Sequence, residues 1–138
     1  MPLSAVSIAV VGMRHKNADG SDRRAEIDMC MAGENVSLVP EPENEFDPRA
    51  IAVYSQRMVQ IGYVKAERAS RIGSLLGTAD VVAVFQRPSS FGAWVRIAFD
   101  GVPPILTDAM LDDQEGGAKM APLLQADEFY PDAIWPDD

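Results

Sequence analysis

The apolar residues of this chain fall into short β-branched runs broken by turn formers, and that punctuation restricts it to a small β-rich fold. Ala5 to Arg14 is rich in Val and Ile and ends near Gly12, which reads as a first strand. Asn17 to Asp22 (NADGSD) is a loop, and Arg23 to Met31 fits either a short helix or an irregular strand. After a turn at Gly33-Glu34-Asn35, Val36 to Val39 alternates as a strand that runs into Pro40 and Pro42, and proline is tolerated at strand ends. Ala50 to Tyr54 and Val59 to Val64 form a predicted hairpin about the turn Ser55 to Met58. From Lys65 to Leu76 the period changes: Ala66, Ala69, Ile72, Leu75 and Leu76 share a helical face, and Gly77 is placed to end the helix. Asp80 to Gln86 and Trp94 to Phe99 supply two more strands, with Arg87-Pro88-Ser89-Ser90 as the turn between them. Six strands about one central helix describe a small barrel or sandwich.

Charge divides the chain in two. Residues 1–100 hold 12 acidic and 11 basic side chains, whereas residues 101–138 hold 9 acidic and 1 basic. The net charge of −9 therefore belongs almost wholly to the C-terminal end, and the remainder is near neutral. That matters because phosphate neutralisation supplies most non-specific affinity for nucleic acid, so a uniformly acidic protein would bind it poorly. The expected division is a barrel over 1–101 and an acidic extension over 102–138. In that extension Phe129, Tyr130 and Trp135 lie among acids, an arrangement able to imitate a nucleic-acid strand and fold back on a basic groove; a solubilising or partner-binding tail is the alternative.

Several functions have little support in the residues. The apolar run Val6 to Met13 is too short to span a bilayer. The first ten residues lack the basic segment of a secretory signal, and a lone Cys30 permits no internal disulfide, so a cytoplasmic protein without membrane contact is expected. One His and one Cys do not make a zinc site of the usual kind, and no Ser–His–Asp set or glycine-rich phosphate loop is present. Glu41, Glu43, Glu45 and Asp47 alternate, but without the spacing of a calcium loop they read as a solvated acidic loop. No catalytic residue, cofactor or metal is expected.

The segment Val36 to Leu76 is the informative one. Its loop is Glu41-Pro42-Glu43-Asn44-Glu45-Phe46-Asp47-Pro48-Arg49-Ala50-Ile51, followed by the strand Ile61-Gly62-Tyr63-Val64 and then the helix. This order, with the upstream Val11-Gly12-Met13-Arg14, closely resembles the HIRAN domain, whose pattern pairs an EPxNxxDxxAI loop with an IGY-type strand. The resemblance covers roughly residues 5–101 and is strongest over 36–76. It implies a small OB-like six-stranded barrel, mostly β with one or two helices. Members of that family sit beside helicase, translocase and nuclease modules or occur alone in bacteria and phages, and the best-understood ones grip the 3′ end of single-stranded DNA. The implied function is a DNA-end binding module acting in repair or replication-fork processing, with a helicase or nuclease as partner, and not an enzyme.

The resemblance also assigns roles. Asp47 stands at the loop aspartate that accepts a hydrogen bond from a terminal 3′-hydroxyl, and its charge disfavours a terminal phosphate. Its alternative is an Asx turn before Pro48. Phe46 stands at a base-stacking position, the alternative being a plug under the loop. Asn44 stands at a contact position, or is a turn amide. Arg14 matches a phosphate or base contact, while His15 and Lys16 replace aromatics found in eukaryotic relatives; the alternative is a solvated strand end. Tyr63 and Lys65 flank the strand-to-helix corner, where Lys65 faces phosphate beside a helix N-terminus, and Ala66 replaces a lysine of some relatives. Phe85, placed by its spacing to Phe99, is a further pocket wall or a core residue. A protein-interaction or structural barrel that has lost the DNA site is the competing reading, favoured by the acids around the loop.

Overall fold

The computed structural model describes residues 5–111. Six strands close an antiparallel barrel: β1 (Val6–Val11), β2 (Asn35–Pro40), β3 (Ile51–Tyr54), β4 (Gln60–Val64), β5 (Val82–Ser89) and β6 (Gly92–Ala98). Around the barrel their order is β1-β4-β3-β2-β5-β6, and β6 returns to β1. Three helices accompany them among the described residues: α1 (Arg23–Met29), α2 (Ala66–Leu76) and the single turn α3 (Asp108–Leu111). The expected OB-like barrel is the fold found, with one helix more than expected.

The core follows from period-two alternation. Val6, Ile8 and Val10 of β1 face inward beside Val95 and Ile97 of β6 and Phe85 of β5. Ala69 and Ile72 of α2 join them, which is why the apolar period of that segment is helical. The segment that fitted either a helix or a strand is α1, fixed at its start by Asp22, whose carboxylate accepts from the backbone amides of Arg24 and Ala25, and held at its middle by Ile27 in the core. A buried carboxylate adds a polar staple. Glu26 of α1 accepts from Ser55 Oγ at 2.6 Å and Arg57 Nε at 2.7 Å, tying the helix to the β3–β4 turn.

Two glycines let β1 lie close to both neighbours. At Gly62 of β4 (φ 154°) a Cβ would come within 2.3 Å of the Val11 carbonyl oxygen; at Gly92 of β6 (φ 149°) it would come within 2.2 Å of that of Val10. The glycine of the IGYV motif is thus a requirement of barrel closure. The turn expected at Arg87-Pro88-Ser89-Ser90 is displaced. Strand β5 continues through Pro88 to Ser89, with Pro88 opposite Ala93, and the reversal falls at Ser90 and Phe91. A bulge between Phe85 and Arg87 precedes it. Pro88 sits at the hairpin end, where a strand tolerates the missing N–H.

Candidate nucleic-acid interface

The loop between β2 and β3 is pinched at its neck, where the Glu41 amide donates to the Ala50 carbonyl at 2.9 Å. Inside the loop Asn44 acts as a bracket. Its Oδ1 accepts from the amides of Phe46 (2.8 Å) and Asp47 (3.0 Å), and its Nδ2 donates to Glu41 Oε1 at 3.0 Å. The same Glu41 oxygen accepts from the Tyr63 hydroxyl at 2.9 Å. Strand β4 therefore holds the loop through Glu41, and Glu41 holds it through Asn44. The turn-amide alternative for Asn44 is correct as geometry, and that turn presents the next two residues.

Those two residues have different surroundings. Phe46 is 89% exposed, so it is no plug under the loop. Leaving a phenyl ring in water is unfavourable, and here the loop bracket enforces it. Asp47 is half-buried; its Oδ1 accepts from the Arg49 amide at 2.9 Å, with Arg49 Nε at 3.5 Å. The Asx-turn alternative is thus present as well, and it fixes the carboxylate on the rim.

Phe46 and Asp47 line one side of a groove of about 430 Å³, with Asn44, Tyr63, His15 and Arg23 around it. His15 also lines a neighbouring hollow of about 330 Å³ with Arg14, Lys16 and Arg24. Five of the expected site residues, His15, Asn44, Phe46, Asp47 and Tyr63, thus meet on one groove, and Arg14 and Lys16 lie next to it. Lys65 stands between two lining residues, Val64 and Ala66, as the N-cap of α2, and makes no side-chain cap bond. That end of an eleven-residue helix is electropositive, although Glu67 offsets part of the effect.

Phe85 must be corrected. It is 1% exposed and packs in the barrel core, facing inward opposite Val95 of β6. It is a core residue of β5 and not a wall of the groove.

Two residues were not foreseen. Arg23, the first residue of α1, is only 7% exposed; its guanidinium carbon lies 5.5 Å from the centre of the Tyr63 ring, with Nε on Asn17 Oδ1 at 2.7 Å and NH1 on the Gly12 carbonyl at 2.9 Å. It is a positioned cation in the groove wall. Glu41, read as one acid of a solvated cluster, is the hub between Tyr63 and Asn44. Among the described residues no group of three His, Cys, Asp or Glu side chains comes together to hold a metal, and no helix is long and apolar enough to cross a membrane.

A closed six-stranded OB-like barrel with a loop-rimmed groove at the β1–β4–α2 corner defines the class of module. The chain belongs to the HIRAN domain family, whose profile matches residues 3–99. Its fold is similar to the crystal structure of the HIRAN domain of human HLTF, at 22% identity over 70% of this chain and 74% of that one, with a TM-score of 0.55. It is also similar to a Lactobacillus plantarum protein (20% identity over 70% of this chain and 94% of that one, TM-score 0.52). A third match is the HLTF HIRAN domain in its DNA-bound conformation (18% identity, 88% of each chain, TM-score 0.50). No curated protein matches the sequence.

Proposed function

We propose that this chain binds DNA ends, taking single-stranded DNA with a free 3′-hydroxyl into the groove beside Asp47. The observation that carries the reading is the pairing of a water-exposed Phe46 with the rim carboxylate of Asp47, above a groove walled by Arg23. A terminal base stacks on Phe46, an interaction worth about 1–3 kcal/mol and indifferent to sequence. The terminal hydroxyl donates to Asp47, which repels a phosphate in the same place. Arg14, Lys16 and Lys65 take the phosphates behind it as point or fork charges. Membership of the HIRAN family and likeness to a HIRAN domain in a DNA-bound conformation support this reading. It is binding without catalysis and uses no cofactor. It places the protein in the cytoplasm, in DNA repair or fork processing, beside a helicase or nuclease.

One observation favours a second reading, a protein-interaction barrel. Glu43 and Glu45 are exposed on the same loop, and the exposed His15 and Lys16 bring no aromatic ring opposite Phe46. Fluorescence anisotropy with 3′-hydroxyl, 3′-phosphate and blunt duplex oligonucleotides separates the two. The DNA-end reading expects salt-sensitive binding that prefers the 3′-hydroxyl, with about −0.7 in the log–log salt slope per phosphate contacted. Absence of binding at low salt refutes it and leaves the second.

A further inference from the structure

Arg23 is held in place from three sides, and all three partners are neutral. Asn17 Nδ2 donates to the Gln60 carbonyl and to Ser21 Oγ, each at 2.9 Å, so its Oδ1 is fixed toward Arg23 Nε. Gly12, at φ 89°, turns its carbonyl onto Arg23 NH1, and the Tyr63 ring backs the guanidinium. These contacts use two of the five N–H groups and neutralise no charge. The N–H groups left over are on the two terminal nitrogens, the fork that grips a phosphate at two points. Among the described residues no carboxylate pairs with Arg23. Asp22 caps α1, Glu41 accepts from Tyr63 and Asn44, and Asp47 accepts from Arg49. The acidic extension expected to imitate a nucleic-acid strand, with Phe129, Tyr130 and Trp135, lies outside the described residues. Arg23 is therefore a preformed cation on the groove that it lines, fixed before any ligand arrives. With little water around it, it attracts an anion more strongly than an exposed arginine does.

The groove is bipolar. Its lining holds the fixed guanidinium of Arg23, the fixed carboxylate of Asp47, the rings of Phe46 and Tyr63, and apolar side chains such as Val64 and Ala69. A ligand that matches it carries an anion, a hydroxyl donor and a flat apolar body. The volume of about 430 Å³ is near the low end of the roughly 300–1,000 Å³ that suits one small ligand. We infer that Arg23 is a phosphate subsite and that the groove holds a single nucleotide unit, with its 5′-phosphate on Arg23, its base on Phe46 and its 3′-hydroxyl on Asp47. In DNA that phosphate is the last linkage of the strand, and the exposed Arg14 and Lys16 meet only the strand behind it. A free nucleoside 5′-monophosphate carries the same chemistry. The direction of the strand rests on the DNA-end reading; the phosphate subsite rests on the setting of Arg23.

The test uses the full-length chain and 3′-hydroxyl oligonucleotides that differ only at the last linkage, a phosphodiester or a neutral methylphosphonate. The wild type is expected to prefer the charged linkage by about tenfold or more, the scale of one charge-assisted bond. Arg23→Gln abolishes the preference and Arg23→Lys keeps part of it, whereas a purely structural role for Arg23 would weaken both oligonucleotides equally. Should Arg23→Gln fail to fold, the two linkages compared on the wild type decide alone. Equal affinity for them overturns the inference and leaves the DNA-end reading intact. Thymidine 5′-monophosphate, thymidine and inorganic phosphate, followed by NMR at Phe46 and Tyr63, separate the sources of the phosphate. Binding of the monophosphate without binding of any oligonucleotide keeps the subsite for a free nucleotide and ends the DNA-end reading. Thymidine or inorganic phosphate binding as tightly as the monophosphate overturns the inference, and so does no binding by any of these ligands.

Discussion

The Tyr63 hydroxyl donates to Glu41 Oε1 at 2.9 Å, and this one bond joins the barrel wall to the loop that presents Phe46 and Asp47. Two family motifs that lie apart in sequence are thereby one device. Removing the bond by Tyr63→Phe is expected to cost about 0.5–1.5 kcal/mol of stability, the usual net worth of such a bond. The larger effect falls on binding, because the loop must then be ordered by the DNA itself, and affinity for a 3′-hydroxyl oligonucleotide drops several-fold. Urea denaturation and anisotropy titration measure the two; equal affinity in the variant removes the loop from the binding device.

Asp47 has two duties that a single substitution can separate. Asp47→Asn keeps an oxygen for the Arg49 amide and loses the charge, so stability should change by less than about 0.5 kcal/mol, as at ordinary surface sites. Repulsion of a terminal phosphate vanishes with the charge. The ratio of 3′-hydroxyl to 3′-phosphate affinity should move toward one, read by competition between the two oligonucleotides. A ratio that stays at the wild-type value confines Asp47 to its turn.

Two phenylalanines make a matched contrast. Phe46→Ala removes an exposed ring and should leave the melting temperature nearly unchanged while weakening single-strand binding by about 1–3 kcal/mol. Phe85→Ala empties a core site and should destabilise the fold by about 3–5 kcal/mol, with binding altered only through unfolding. Thermal melts and titrations on both variants decide it.

Sequence reading reached most of the fold and the rim of the groove, and the reasons are local. Helix α2 announced itself through Ala69, Ile72, Leu75 and Leu76, and the β3–β4 hairpin through two β-branched runs with a short turn. The loop that carries Asn44, Phe46 and Asp47 was recognisable because its residues are consecutive. Arg23 was not, because its role depends on Tyr63, distant in sequence and brought near only by the packing of α1 beside β4. Glu41 was hidden among alternating acids that look alike until one of them finds a hydroxyl. Phe85 was misread because an aromatic spacing cannot say which face of a strand is wet. The one signal available for Arg23 was its position just after the helix-capping Asp22.

Cys30 gives a pH prediction. Partial burial, and then the charge of Glu26, push its thiol up to about 11 from an ordinary value near 9. The folded state holds the proton more tightly than the unfolded chain does. Its contribution to stability is therefore complete below about pH 9 and is lost as pH rises toward 11. Alkylation by iodoacetamide in the folded protein should be slow at pH 8 and accelerate only above pH 10, where the thiolate forms. Reaction at pH 8 as fast as in the urea-unfolded chain would contradict this.

The close seating of β1 against Gly62 and Gly92 also governs the order of events during synthesis. Of the six barrel strands β1 is the first to leave the ribosome, and β6, one of its two neighbours, is the last. A nascent chain therefore carries the apolar VSIAVV strand with an unmet edge until residue 92 and beyond have emerged. Pairing across so long a stretch is slow, since chain entropy must be lost before the contact forms. An unpaired β edge held open for that time is an opening for pairing with another chain. Expression yield of this protein should thus depend more on translation speed and on chaperones that shield strand edges than the stability of the finished barrel would indicate.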